Sequence, residues 1–289
     1  MKRLIVLFVT VLLTASLSAA TPEQLIAAGK QAMVKNEWDK AADLFEQAVK
    51  ARPNSAELHF WLGQAYGSQA KDASIFRQPG LAGKTRDEFE RAVQLDPNLI
   101  DARSALISFY LMAPGFMGGS EDKALQQAQE IKKRDPIDGH RALARVYARQ
   151  KKQDLVRKEY MDAVREQPGS PKAHVYFGTF LMSEKNYKQA LDEFEISLRL
   201  DSNSMPAYFR IGQVAALAEN NYPHGEEMLK KYLAYTPKED EPPLHRAWYW
   251  LGQIYEKTGR KAEAKQSYAT SLRLAPGAKD VTEALRRVS

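Results

Sequence analysis

The sequence predicts an all-α fold: a right-handed α-solenoid of about seven helix-turn-helix hairpins, closed by a short C-terminal capping helix. Three observations predict it. Residues 245–278 place Trp248, Leu251, Gly252 and Tyr255 at helical spacing, then Ala264 and Tyr268 four apart, then Pro276. The same register recurs upstream at about 34 residues, as it must if one hairpin cannot bury its own apolar face. No stretch shows the apolar–polar alternation of a strand. The residue types suit their places. Gly252 has no side chain, so a second helix can approach its backbone. Ala264 and Tyr268 can fill the facing surface, and Pro276 ends the second helix.

Residues 1–20 read as a secretory signal peptide cleaved after Ala20. Lys2 and Arg3 precede the apolar run 4–13, and Ser18-Ala19-Ala20 supplies the small residues for cleavage. The apolar core is short for a bilayer span, so a membrane association is expected only if the segment stays uncleaved. The mature domain is then 21–289, at net charge +4 once the two cations are removed from the chain's +6. Hydrophobic residues at 44% and charged residues at 27% describe a globular chain. With no cysteine there can be no disulfide, thiolate metal site or cysteine nucleophile.

The repeats follow in order. Near 22–55, Leu25 stands in place of Trp, with Gly29, Ala41, Phe45, Ala48 and Pro53 in register. Near 56–99 come Leu62, Gly63 and Tyr66, then Phe89, Ala92 and a Pro97 that arrives ten residues late. Near 100–136, Leu106, Tyr110, Ala124 and Pro136 define a repeat five residues too long. The repeat at 137–170 has Leu143, Ala144, Tyr147, Tyr160, Ala163 and Pro168. At 171–204, Phe177, Gly178, Ala190 and Phe194 fit, with Ser202 in place of Pro. At 205–237, Tyr208, Ile211 and Gly212 fit, but His224 and Met228 weaken the second helix. The acidic, Pro-rich connector 238–244 leads to 245–278, and 279–289 caps the stack, whose last outer face must meet water.

This pattern, W-x2-L-G-x2-Y with A-x3-aromatic and a closing Pro, resembles the tetratricopeptide repeat family over 22–278. The resemblance implies a concave face built from repeat positions 2, 5, 9 and 12, used to hold protein or peptide partners. Those positions carry Lys30, with Ile26 and Met33, in the first repeat, then Phe60 and Gln64, then Ser104 and Ser108. Arg141, Arg145 and the i+4 continuation Arg149 follow in the fourth repeat. Lys172, Val175, Thr179 and Met182 come next, then Phe209 and Gln213, and finally Tyr249 and Gln253. Arg141 and Arg145 stand where chaperone-binding relatives carry the Lys and Asn of a carboxylate clamp, so that activity is not implied. Residues 113–124 also resemble a segment of exported bacterial repeat proteins, which points to a periplasmic or secreted location.

Individuality should lie where the chain leaves its template. Two insertions, 68–84 and 112–120, are expected as loops on one edge, with Phe76, Leu81, Phe116 and Met117 (and Ile75) as apolar contacts. Mutual packing of these side chains is the expected use, with contact to a partner the alternative. From Lys132 to Lys158 there are ten Lys/Arg against three acids, so the positive charge is concentrated in the fourth repeat. A solvated face is the plain explanation; a site for an acidic partner is the sharper one.

Other chemistry finds little support. Gly80-x-x-Gly83-Lys84-Thr85 ends like a phosphate loop, but Gln78 replaces the first glycine and a helix precedes it. His59, His140 and His174 share repeat position 4 and are expected as packed rings holding one hydrogen bond, not as metal ligands. Glu23, Glu57, Asp101 and Asp138 share position 2 and favour helix N-termini. No catalytic residue, metal or cofactor is therefore expected. Nucleic acid is not expected as a partner of an exported chain. The sequence points to a non-enzymatic scaffold in the cell envelope that binds a protein or peptide in its groove, an acidic one if the fourth repeat takes part. The alternative is a binder of a small anionic or polymeric envelope ligand, such as a glycan or lipid headgroup.

Overall fold

A computed structural model of the protein describes residues 20–238 and 241–289. The stretch 1–20, expected to be a signal peptide, lies outside the described residues except for Ala20. Among the described residues there are fifteen α-helices and no strand. None of these helices is long and apolar enough to cross a membrane.

The chain divides into two compact units, the first ending at Gly119 and the second starting at Ser120. The first holds α1 (Pro22–Val34), α2 (Trp38–Ala51), α3 (Ala56–Asp72), α4 (Gln78–Leu95), α5 (Ile100–Met112) and a 3-10 turn at Gly115–Met117. The second holds α6 (Glu121–Lys132), α7 (Pro136–Arg149), α8 (Gln153–Glu166), α9 (Pro171–Ser183), α10 (Tyr187–Leu200), α11 (Met205–Ala218), α12 (Tyr222–Leu233), α13 (Leu244–Lys257), α14 (Lys261–Leu274) and α15 (Lys279–Val288). Each unit is a run of stacked hairpins, in which sequence-adjacent helices such as α3 and α4 or α13 and α14 pack together. The third repeat is divided. Its α5 packs on α4 in the first unit, and its α6 packs on α7 in the second.

Helix starts follow local chemistry. Thr21 closes a capping box with Gln24 before α1. Ser55, Ser120, Asp135 and Ser170 each accept a backbone N–H at the start of α3, α6, α7 and α9. The turns inside several hairpins hold left-handed residues: Asn36, Lys151, Lys185, Glu219 together with Asn221, and Gly259. Only the last is a glycine, so the others hold a conformation that L-residues avoid. Lys185 makes no side-chain hydrogen bond among the described residues to offset this, and Lys185→Gly is expected to raise stability by about 0.5–1 kcal/mol in chemical denaturation. An unchanged or lower midpoint would refute that.

The core is built by one recurring contact. A Cβ added at Gly29, Gly63, Gly178 or Gly252 would come within 2.5–2.7 Å of the ring of Phe45, Phe89, Phe194 or Tyr268. The expected close approach at Gly252 is therefore present, with the aromatic ring of the second helix lying on the first helix's backbone. Tyr268, Phe45 and Phe194 are completely buried.

Position 4 does more than fill space. His59 and His174 place Nε2 2.9 Å from the carbonyl oxygens of Pro53 and Pro168, and Nδ1 2.5 and 2.6 Å from the carboxylates of Glu88 and Glu193. Arg103 and Tyr208 donate to the carbonyls of Pro97 and Ser202, again six residues back. Position 4 thus ties down the turn that joins its helix to the preceding one, through the carbonyl of the residue just past the C-cap. His140 instead meets two carboxylates, Glu159 at 2.7 Å and Glu166 at 3.2 Å. The expectation of a single hydrogen bond per ring was too low.

The insertion 68–84 is not the loop that its glycines and proline suggested. It lengthens α3 to 17 residues and α4 to 18, leaving only 73–77 as the turn. Pro79 lies in the first turn of α4, where its missing N–H costs nothing. Gly80 and Gly83 are ordinary helical positions with open space around them, so the phosphate-loop resemblance ends there.

Candidate functional site

The cationic row of the fourth repeat is carried by α7. Leu143, Ala144 and Val146 turn inward, which leaves Arg141, Arg145 and Arg149 exposed at intervals of one turn. Two cations of this neighbourhood are matched by acids. Lys172 lies 2.8 Å from Asp138 and 3.5 Å from Asp135, and Arg141 lies 3.5 Å from Asp138. Arg141 also stacks 4.7 Å from the centre of the Tyr176 ring. Burial pushes the Asp138 carboxyl up, but Lys172 and Arg141 outweigh it and hold the group below the usual carboxylate range. Arg145 and Arg149 have no carboxylate partner among the described residues. Partial loss of solvent, then the charge of Arg141, lowers the Arg145 guanidinium's affinity for its proton. Arg145 is thus a cation whose charge costs the folded chain and which no internal acid compensates.

A second concave place lies between α11 and α13. Arg210, Gln213, Arg246 and Trp250, with Phe209, Glu241 and Pro242, line a pocket of about 360 Å³. Arg210 Nη1 donates to Gln213 Oε1 at 2.7 Å, and burial lowers its affinity for the proton. No carboxylate pairs with it among the described residues. Arg246 is held 2.6 Å from Asp280 and lies over the rings of Tyr249 and Trp250.

A third place is in the first unit. Gln64 of α3 and Ser108 of α5, two predicted groove positions, share a pocket of about 360 Å³ with Ser68, Lys71 and Gln78 of the first insertion and Met112, Pro114 and Met117 of the second. The two insertions do meet, though through helix ends and a 3-10 turn.

The remaining predicted residues divide. Lys30 is engaged with Glu57 at 3.2 Å and with the Trp61 ring. Phe60 is half-buried between Trp61 and Phe89, and Ser104 lends its carbonyl to Ser108. Tyr249 is half-buried against Trp250 and Tyr268. Phe209 is corrected: only 3% exposed, it packs on Tyr232 and reaches the groove with one edge. Val175 is likewise buried. Leu81 is corrected too, since it is a buried residue of α4 and not a loop contact. Phe76 and Phe116 are 93% and 82% exposed, so these two rings take no part in the expected mutual packing. Register reading missed Arg210, because position 6 sits between two buried neighbours. Arg246 occupies position 2 of its repeat, and that register alone could have found it.

Sequence and fold comparisons agree with this architecture. A tetratricopeptide repeat profile matches 245–277, and a TPR repeat profile matches 29–69. No curated protein matches the sequence. A tetratricopeptide repeat protein of Parabacteroides merdae is similar at 13% identity and TM-score 0.53, over 92% of this chain and 98% of its own. Yeast Tom70 is similar at 15% identity and TM-score 0.52, over 94% of this chain and 64% of its own. A monomeric mutant of IFIT1 is similar at 16% identity and TM-score 0.57, over 93% of this chain and 62% of its own. At these identities the likeness concerns the fold alone. The chain thus carries tetratricopeptide repeats at 29–69 and 245–277, within an all-α fold of stacked hairpins like that of solved tetratricopeptide repeat proteins.

Proposed function

We propose that the protein is a non-enzymatic scaffold of the cell envelope, exported by its N-terminal segment, that binds an acidic protein partner along α7. The repeat fold supports protein–protein interaction in general. The observation that carries the finer reading is Arg145 beside Arg149, two exposed guanidiniums without an internal carboxylate, in a row with Arg141. Acidic side chains of a partner supply the missing charge as bidentate acceptors. The test is crosslinking in intact cells, comparing wild type with a variant carrying Glu at 141, 145 and 149. Loss of specific crosslinked species supports the reading, and an unchanged set removes the row from it. N-terminal sequencing of the envelope-associated chain should start at Thr21; recovery of an intact Met1 in the cytoplasmic fraction would overturn export.

The pocket of Arg210 and Arg246 favours a second reading, binding of a small anionic ligand. A half-buried guanidinium without a carboxylate is costly unless an anion is supplied. Arg210→Met is therefore expected to raise stability by about 1 kcal/mol. It should also abolish any thermal stabilisation of the wild type by citrate or inorganic phosphate. A destabilised variant, or equal stabilisation of both proteins, would count against this site.

A further inference from the structure

We infer that the pocket between α3, α4 and α5 is an anchor site for one large apolar side chain of an acidic peptide segment. The inference rests on the reading of the chain as a protein-binding scaffold, but uses a different unit from the arginine row.

The pocket's chemistry selects the occupant. Three of its six polar side chains are closed within the chain, while Gln64, Ser68 and Lys71 make no side-chain hydrogen bond among the described residues. Thr85 Oγ1 donates to the Leu81 carbonyl at 2.8 Å, Ser108 Oγ to the Ser104 carbonyl at 2.8 Å, and Gln78 Nε2 to the Ala73 carbonyl at 3.1 Å. What faces the space is then mostly the carbon of Ala82, Phe89, Ala105, Phe109, Met112 and Met117. A volume of about 360 Å³ is at the small end of ligand pockets and accommodates a Trp, Phe or Leu side chain with part of its backbone.

Two of the uncommitted groups say what else the occupant carries. Lys71 is the one charged residue in the lining, and among the described residues it has no carboxylate partner. An acid beside the anchor would complete it. The Gln64 side-chain amide, also in the lining, makes no hydrogen bond among the described residues. It can both donate to and accept from a peptide unit, whereas an acyl chain has nothing to offer it. Phe116, which precedes the lining residue Met117 in the chain, is 82% exposed and adds apolar surface beside it. Such an exposed ring beside a concave centre suits an interface whose partner excludes water.

The test uses the whole chain from Thr21 and fluorescein-labelled nonapeptides, acetylated and amidated, in a Gly/Ser background. Each carries a central Trp, Phe, Leu or Ser flanked by Asp, and a second set is flanked by Lys. The Asp-flanked peptides with an apolar centre should bind at least about tenfold tighter than the Ser peptide, the range expected for filling one pocket. Ala105→Phe, which fills the pocket, should remove that difference. Lys71→Glu, at an exposed position, should weaken the Asp-flanked peptides about threefold to tenfold and strengthen the Lys-flanked ones. If Ala105→Phe does not fold, the charge swap at Lys71 decides. Equal binding of the Ser peptide overturns the proposal, as does indifference to both variants. So does saturable binding of dodecanoate that the peptides cannot displace. Since the arginine row is tested by its own variant in the other unit, failure of either site leaves the other standing.

Discussion

Gly178→Val is expected to destabilise the second unit by about 3 kcal/mol, the upper part of the range for overpacking a core. The Cβ alone would lie 2.6 Å from Cε1 of Phe194, and two further methyl groups would enter the same space. Neither side has room to give, since Phe194 is fully buried and the contact is to the ring itself. The small gain in helix propensity from removing glycine, a few tenths of a kcal/mol, does not offset this. Repeat stacks lose cooperativity locally, so the informative measurement is hydrogen exchange at 171–204 beside a denaturant titration. The geometry also predicts coupling. Phe194→Ala should cost about 3–5 kcal/mol alone but much less in the Gly178→Val background, where the truncated side chain admits the valine. Additive losses would show that the ring and the glycine are not the contact that matters.

That contact was legible in the sequence because it repeats. Gly29, Gly63, Gly178 and Gly252 each precede an aromatic residue by a fixed step, lengthened by ten residues only in the second repeat. Periodic burial requires periodic residues, so register revealed the fold class and much of the core. The insertions were harder. Gly80, Gly83 and Pro79 look like loop formers, yet stacking against neighbouring helices lets α4 begin at Gln78 and carry both glycines. Tertiary packing outweighed propensities worth about a kcal/mol each. Residues of the candidate pockets were legible only where they kept register. Gln64 and Ser108 did, and they share a pocket. Phe209 kept register too but turned inward onto Tyr232, because the outward direction of position 5 was a family average and not a property of this side chain. Lys71 and Arg210 lie off the register, and their place in a pocket lining, without an acid partner among the described residues, is what singles them out.

Replacing Arg141, Arg145 and Arg149 with Glu is expected to weaken capture of an acidic partner by about a hundredfold at physiological salt, or about 2.8 kcal/mol. An exposed charge pair contributes roughly 0.2–1 kcal/mol, and reversal both removes the attraction and adds repulsion, so three sites together reach that figure. Screening should shrink the difference between the proteins as salt rises and the Debye length falls from about 8 Å toward 3 Å. Loss of fold cannot explain the result if the single variant Arg145→Gln behaves as its surroundings require. The Arg145 charge is disfavoured in the folded chain by partial desolvation and by Arg141, so removing it should raise stability by a few tenths of a kcal/mol after solvent screening. The same substitution should lower partner affinity severalfold. Opposite signs in stability and binding mark a residue retained for a partner rather than for the fold. If Arg145→Gln destabilises the protein, or if capture by the triple variant is equal to wild type at both low and high salt, the row is a solvated helix face and the partner binds elsewhere.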